Sequence, residues 1–335
     1  MSKIDSRLRS LTGYAPAIPT PFKSDGAVDY RALQVFCDLQ INEGATALVV
    51  CGTTGEAPTL SPTEQVTVIQ IAVDAAAGRV PVIAGAGSNS TAHAIELTRD
   101  AEAAGADAIL SVVPYYNKPT QAGLYAHFSA VADATGLPVI LYDVPSRTVV
   151  GLADETIARL AELPRVVGIK DATGDLGRLF RLRSLLGADF KLLSGDDATA
   201  PAFIAQGGDG CISVTSNLVP RLCREMFIAY EQGLIHKARQ LAQPVARLTA
   251  ALFLETNPTP LKYALGLLGL MSPSVRLPLV EPTSATRSRI STALGETCRE
   301  FSCYLVGNKQ LPAVQVAERQ RVYAQGCVMN CVIGS

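Results

Sequence analysis

Two short apolar runs end on residues able to do covalent chemistry. Val166-Val167-Gly168-Ile169 closes on Lys170, just before the polar turn Asp171-Ala172-Thr173-Gly174-Asp175, and Pro138-Val139-Ile140-Leu141 closes on Tyr142. An amine at one strand end, with a phenol at the end of the strand before it, suits Schiff-base chemistry on a carbonyl substrate. The amine must be uncharged to attack. A free lysine side chain, with a pKa of about 10.4, is almost wholly protonated at pH 7, and a dry interior disfavours the ammonium where a solvated surface does not. The plain alternative is a strand-end lysine in a salt bridge with Asp171 or Asp175. A phenol hydroxyl can pass a proton in either direction when a partner supports it. Thr53 and the pair Tyr115-Tyr116 are the candidate partners, and the tyrosine pair would equally serve as a packing surface or subunit interface.

Two further features read as anion sites. In Gly52-Thr53-Thr54-Gly55-Glu56 the flanking glycines let backbone N–H groups approach a ligand, and two threonines add hydroxyls. No lysine follows, so the turn is not a P-loop, and a small carboxylate suits it better than a triphosphate. Ser61-Pro62-Thr63-Glu64 then has the spacing of a capping box with proline at the first helical position. Arg147 can grip a second carboxylate with two parallel hydrogen bonds; the plain alternative is a rim salt bridge with Asp143. His93, His127 and His236 are too scattered for a metal set and are expected on helix surfaces.

The elements that must position these residues alternate. Apolar, β-branched runs recur at Tyr14–Ile18, Ala47–Val50, Val80–Ala84, Ala108–Val113, Val139–Leu141, Val166–Ile169, Phe190–Leu193 and Cys211–Val214. Each is too short for a helix and too continuous for a half-exposed strand. Helical stretches separate them, and eight such repeats favour a closed (β/α)8 TIM barrel over an open doubly wound sheet. A Rossmann sheet would want G-x-G-x-x-G after the first strand, and none is there. Beyond Pro220 the strands stop, and Arg221–Glu231, Leu234–Leu252, Pro260–Leu268 and Ala285–Leu294 read as helices packed outside the barrel. The expected organisation is a barrel over 13–220, a C-terminal helical domain over 221–297, and a tail over 298–335 without clear periodicity. In a barrel the C-terminal strand ends surround one mouth, which gathers Thr53, Tyr116, Tyr142, Arg147 and Lys170 with Ser194-Gly195-Asp196-Asp197.

Composition narrows the classes. The chain has 335 residues, 48% of them hydrophobic and 18% charged, with a net charge of −1. That supports a large core and offers no field for nucleic acid or an anionic membrane. The N-terminus has no signal-peptide pattern and no run is long enough to span a bilayer, so the expected setting is the cytoplasm. Cys37, Cys51, Cys211 and Cys223 lie singly in apolar contexts and read as reduced core residues. Cys298, Cys303, Cys327 and Cys331 fit no strong zinc spacing.

At these residues the chain resembles a known family. Gly52-Thr53-Thr54-Gly55-Glu56, Tyr142-x-x-Pro145 and Gly168-Ile169-Lys170-Asp171 are similar to motifs of the pyruvate-dependent class I aldolase superfamily of neuraminate lyase and dihydrodipicolinate synthase. Pro145-Ser146-Arg147-Thr148, Pro114-Tyr115-Tyr116-Asn117 and Ser194-Gly195-Asp196-Asp197 point to its synthase branch. The resemblance runs from about Gly13 to Gly295. It implies condensation of pyruvate with L-aspartate 4-semialdehyde in the diaminopimelate route to lysine, with no metal or organic cofactor, in a homotetramer built as a dimer of dimers. It implies that Lys170 forms the imine, that Tyr142, Thr53 and Tyr116 form a proton relay with Tyr116 given by a neighbouring subunit, and that Thr54 holds the pyruvate carboxylate. Arg147 would receive the semialdehyde carboxylate, and Gly195 and Ile212 would give backbone groups near Lys170. Asp143 departs from the asparagine common at that position and is expected to add negative charge beside Arg147. Lysine-sensitive members carry a glutamate at the position of His93, on a surface matching Ala57, Asn89, His93 and Tyr115. Weak or absent lysine feedback is therefore expected.

Three other readings compete. The first keeps the imine and takes a sugar acid such as N-acetylneuraminate or 2-keto-3-deoxygluconate, but a polyol tail calls for neutral groups rather than Arg147. The second is a silent barrel used for binding, against which stand the retained amine, phenol and anion sites. The third is a metal-dependent aldolase, for which a histidine cluster is missing.

Overall fold

The computed structural model describes residues 11–301, 305 and 306. Its eight strands are β1 (Gly13–Pro16), β2 (Leu48–Val50), β3 (Val82–Gly85), β4 (Ala108–Val112), β5 (Val139–Asp143), β6 (Val166–Asp171), β7 (Lys191–Ser194) and β8 (Gly210–Ser213). All neighbours pair in parallel, in the order β1-β8-β7-β6-β5-β4-β3-β2. A parallel bridge between Ala17 and Val49 joins the two outer strands, so the sheet closes on itself. This is the expected (β/α)8 barrel, followed by the C-terminal helical domain.

The pleat sorts the side chains into two cores. Ala15, Val49, Ile83, Leu110, Ile140, Tyr142, Val167, Leu193 and Ile212 pack together in the barrel lumen. Alternate residues such as Tyr14, Val50, Ala84, Ile109, Leu141, Ile169, Leu192 and Cys211 face the helices outside. The period of two along each strand makes this division. Between Val139 and Ile140 the β5–β6 register shifts, after which Tyr142 pairs with Lys170 and Asp143 with Asp171.

The outer helices are α1 (Tyr30–Asn42), α2 (Pro62–Ala76), α3 (Thr91–Ala103), α4 (Gln121–Asp133), the short α5 (Pro145–Thr148), α6 (Asp154–Ala161), α7 (Leu176–Leu186) and α8 (Ala200–Ala205). Ser61 and Glu64 form the expected capping box at the start of α2, with Pro62 in the first turn. Four further helices follow, α9 (Pro220–Glu231), α10 (Ile235–Leu252), α11 (Thr259–Leu267) and α12 (Ser284–Phe301). The helix expected over Ala285–Leu294 therefore runs on through the expected boundary at 297. Leu305 and Val306 are buried, and the Val306 N–H donates to the Leu218 carbonyl at 2.8 Å. Cys303, Cys327 and Cys331 lie outside the described residues, as does most of the expected tail. Among the described residues, no helix is long and apolar enough to cross a membrane.

Two expectations need correction. His127 is not on a helix surface: it lies on the buried stripe of α4 with Leu124, Phe128 and Val131, its Nδ1 2.9 Å from Thr91 Oγ1. Burial lowers its pKa. Asp143 does not stand beside Arg147. It is fully buried outside the barrel lumen and bonds Arg178 at 2.8 Å, because the residue after the inward-facing Tyr142 must point the other way.

Candidate active site

Lys170 and Tyr142 face each other across neighbouring strands. Lys170 Nζ lies 4.1 Å from the centroid of the Tyr142 ring, and each residue is 7% exposed. Neither salt bridge of the plain alternative forms among the described residues. Asp171 bonds Arg178 and Thr173, and Asp175 bonds Arg181 while capping α7. Among the described residues Lys170 has no ion-pair partner, so the amine stands in the lumen against an aromatic face. Gly195 is needed for its path: a Cβ there would come within 2.8 Å of Lys170 Cε and 3.0 Å of its Cγ. Ile212 belongs to the same luminal layer, with Tyr142 and Leu193.

The Gly52–Glu56 turn follows β2 as a tight loop. The N–H groups of Gly55, Glu56 and Ala57 donate to carbonyls within it, at 3.1, 3.1 and 3.4 Å. Those of Thr53 and Thr54 make no such bond among the described residues, which leaves two adjacent donors for an anion. Cys51 and Glu56 frame the turn in left-handed backbone, with φ of 53° and 54°. Non-glycine residues hold that conformation only where surroundings impose it. Glu56 is held by Lys262 Nζ at 2.6 Å and by the Arg276 N–H at 3.0 Å. Burial lowers the Lys262 pKa to about 8 despite the opposing pull of Glu56. At the other end, the Gly85 Cα packs so close to the Cys51 carbonyl that a Cβ would lie 2.1 Å from its oxygen.

A cavity of about 510 Å³ opens at this mouth. Thr53, Tyr142, Arg147 and Asn257 line it, as do Ala57, His93 and Tyr115. Lys170, Thr54, Gly195, Ile212 and Tyr116 do not line it. Tyr142 is thus both cavity wall and neighbour of Lys170. Arg147 sits on α5 at the rim and donates through Nη2 to the Asn257 carbonyl at 3.4 Å. Thr54 is buried and accepts from Asn257 Nδ2 at 2.9 Å. Tyr116 is 88% exposed with φ of 74°, so its ring projects from the chain rather than into its own cavity. Asn89 lies next to this surface, its carbonyl accepting from Asn117 Nδ2 at 2.8 Å.

Asn257, Lys262 and Arg178 are functional candidates that the reading of the sequence passed over. The first two come from the helical domain, where no local pattern announces which residue reaches the mouth. Among the described residues, no group of three or more His, Cys, Asp or Glu is arranged to hold a metal ion.

A parallel eight-stranded barrel with a buried lysine against a tyrosine at its strand ends defines a lyase of the class I aldolase type. The comparisons with known proteins narrow the class. Residues 10–297 match the model of the dihydrodipicolinate synthetase family, and the chain belongs to that family. It is 53% identical over 285 residues to the 4-hydroxy-tetrahydrodipicolinate synthase of Rhodospirillum centenum, covering 85% of this chain and 98% of that one. It is 54% identical over 284 residues to the enzyme of the same name from Cereibacter sphaeroides, covering 85% and 98%. Among solved structures, the chloride-inhibited dihydrodipicolinate synthase from Acinetobacter baumannii, complexed with pyruvate, is 45% identical with a TM-score of 0.83, covering 85% of this chain and 98% of that one.

Proposed function

We propose that the protein is a 4-hydroxy-tetrahydrodipicolinate synthase, joining pyruvate to L-aspartate 4-semialdehyde. The observation that carries this is the buried Lys170 amine packed on Tyr142, beside a turn whose Thr53 and Thr54 N–H groups make no backbone bond among the described residues. The Lys170 nitrogen adds to the keto carbon of pyruvate and water leaves, giving an imine. Loss of a methyl proton gives an enamine, whose carbon attacks the aldehyde. The amine of the second substrate then displaces Lys170 and closes the ring. Tyr142, with Thr53 and Tyr116, carries the protons. Thr54 and the N–H groups of the turn hold the pyruvate carboxylate, Arg147 receives the second carboxylate, and Gly195 and Ile212 shape the space around the lysine. Borohydride reduction with pyruvate, followed by mass mapping, tests the reading; the adduct is expected on Lys170, and labelling elsewhere would refute it.

Arg147 separates this reading from a sugar-acid aldolase, since a cation at the rim suits a carboxylate rather than a polyol. Arg147→Ala should raise KM for the semialdehyde by about 10-fold or more, the size of a lost charge-assisted bond of about 1.5–3 kcal/mol. KM for pyruvate should change little. Equal effects on both substrates would count against the clamp.

The exposed Tyr116 supports an assembly in which a neighbouring subunit receives it, and a homotetramer built as a dimer of dimers is the proposed form. Four buried free cysteines among the described residues suit a reducing cytoplasm. Feedback by lysine is proposed to be weak. His93 stands on the cavity wall with its Nδ1 3.3 Å from Glu96 Oε2, so that carboxylate is already engaged, and an imidazole brings no negative charge to pair with an ammonium. Sub-millimolar lysine should leave steady-state turnover unchanged; an inhibition constant in that range would contradict this.

A further inference from the structure

We infer that Arg178 is a positioning residue for the Lys170–Tyr142 pair, acting through the two aspartates that follow them on adjacent strands. The inference rests on the function proposed above and adds a residue to it.

Tyr142 pairs in register with Lys170, and the next residues, Asp143 and Asp171, pair with each other. Side chains alternate along a strand, so the reactive pair faces the lumen while both carboxylates face outward, towards α7. Arg178, in the first turn of α7, meets both. Its Nη1 donates to Asp143 Oδ2 at 2.8 Å and to Asp171 Oδ2 at 3.3 Å. Its Nε donates to Asp154 Oδ1 at 2.9 Å and its Nη2 to the Leu152 carbonyl at 2.5 Å. The same carboxylates tie down the loops beyond the strands. Asp143 Oδ2 accepts from the Leu152 N–H, and Asp171 Oδ1 accepts from the N–H and hydroxyl of Thr173. One buried guanidinium thus fastens both strand ends, one residue beyond the reactive groups and on the reverse face of the sheet.

Neither aspartate has another cation on it among the described ion pairs. Burial raises the Asp143 pKa, against the pull of Arg178, and Asp143 Oδ1 has no hydrogen-bond partner. Without the guanidinium, two buried carboxylates would face each other at a paired register position and push the strand ends apart. A planar fork of five donors spans several acceptors; an ammonium is a point charge and cannot.

The test compares Arg178→Met and Arg178→Lys with Arg181→Met, whose guanidinium, among the described residues, bonds Asp154 and Asp175. The readouts are kcat, KM for pyruvate, and the rate and final extent of borohydride trapping. A positioning loss of about 1 Å costs on the order of 10²-fold, so both Arg178 variants should lose about 10- to 100-fold in kcat and in trapping rate. The final extent of trapping and KM for pyruvate should stay near wild type, whereas partial unfolding would lower the extent. Arg181→Met should match wild type. Asp143→Asn keeps an acceptor for Arg178 and should retain most of the rate. Should Arg178→Met fail to fold, Arg178→Lys decides. Wild-type kcat in a folded Arg178 variant, or the same loss in Arg181→Met, overturns the inference. Failure to trap Lys170 in the wild-type protein would instead remove the proposed function.

Discussion

Lys170→Ala should abolish trapping of pyruvate by borohydride and lower kcat by at least about 10³-fold, a barrier increase of roughly 4 kcal/mol. The reason is covalent. Without the amine no imine forms, and among the described residues no other lysine reaches the lumen beside Tyr142: the buried Lys262 is committed to Glu56, and Lys191 lies 3.5 Å from Asp209. Lys170→Arg is the stricter variant, since it keeps a long nitrogen-bearing side chain against the Tyr142 ring but supplies no nucleophile, and it should be as inactive as alanine. Mass spectrometry of the reduced protein reads the first effect and steady-state turnover the second. Residual turnover within about tenfold of wild type in either variant would mean that the lysine is not the covalent partner.

The second large effect is at Tyr142. Tyr142→Phe should lower kcat by about 10²–10⁴, the usual contribution of a positioned acid–base group. The ring remains, so its packing in the luminal layer and its contact with Lys170 survive. The variant should therefore fold and bind pyruvate with little change in KM. The trapping rate should fall with kcat, because expelling water from the adduct needs a proton. An unchanged rate would take the hydroxyl out of the relay and leave Thr53 and Tyr116 to be tested.

Much of this site could be read in advance because it sits on strands. A buried parallel strand leaves a continuous apolar run, and the polar residue ending the run marks the mouth; Lys170 and Tyr142 both stand there. The same logic, carried one residue further, would have turned Asp143 outward and away from Arg147. His127 was legible too, since it falls on the stripe formed by Leu124, Phe128 and Val131. Asn257 and Lys262 were not. Their positions depend on how the helical domain seats against the mouth, which is set by long-range packing rather than by local periodicity. Arg178 lay hidden for a related reason: its three carboxylate partners come from β5, β6 and α6, brought together only by the closed sheet.

The ion pair between Glu56 and Lys262 has a consequence for how such a protein can be divided. The anion-binding loop belongs to the barrel, yet the cation that neutralises its last residue arrives from more than 200 positions later, on α11. Expressed alone, the eight-stranded unit would lose both the Lys262 ammonium and the Arg276 N–H that hold Glu56 in its left-handed backbone, and with them the fixed end of the loop. Catalysis and the trailing helices must therefore be inherited as a single package, and a chimaera that exchanges one for the other has to carry both ends of this bond.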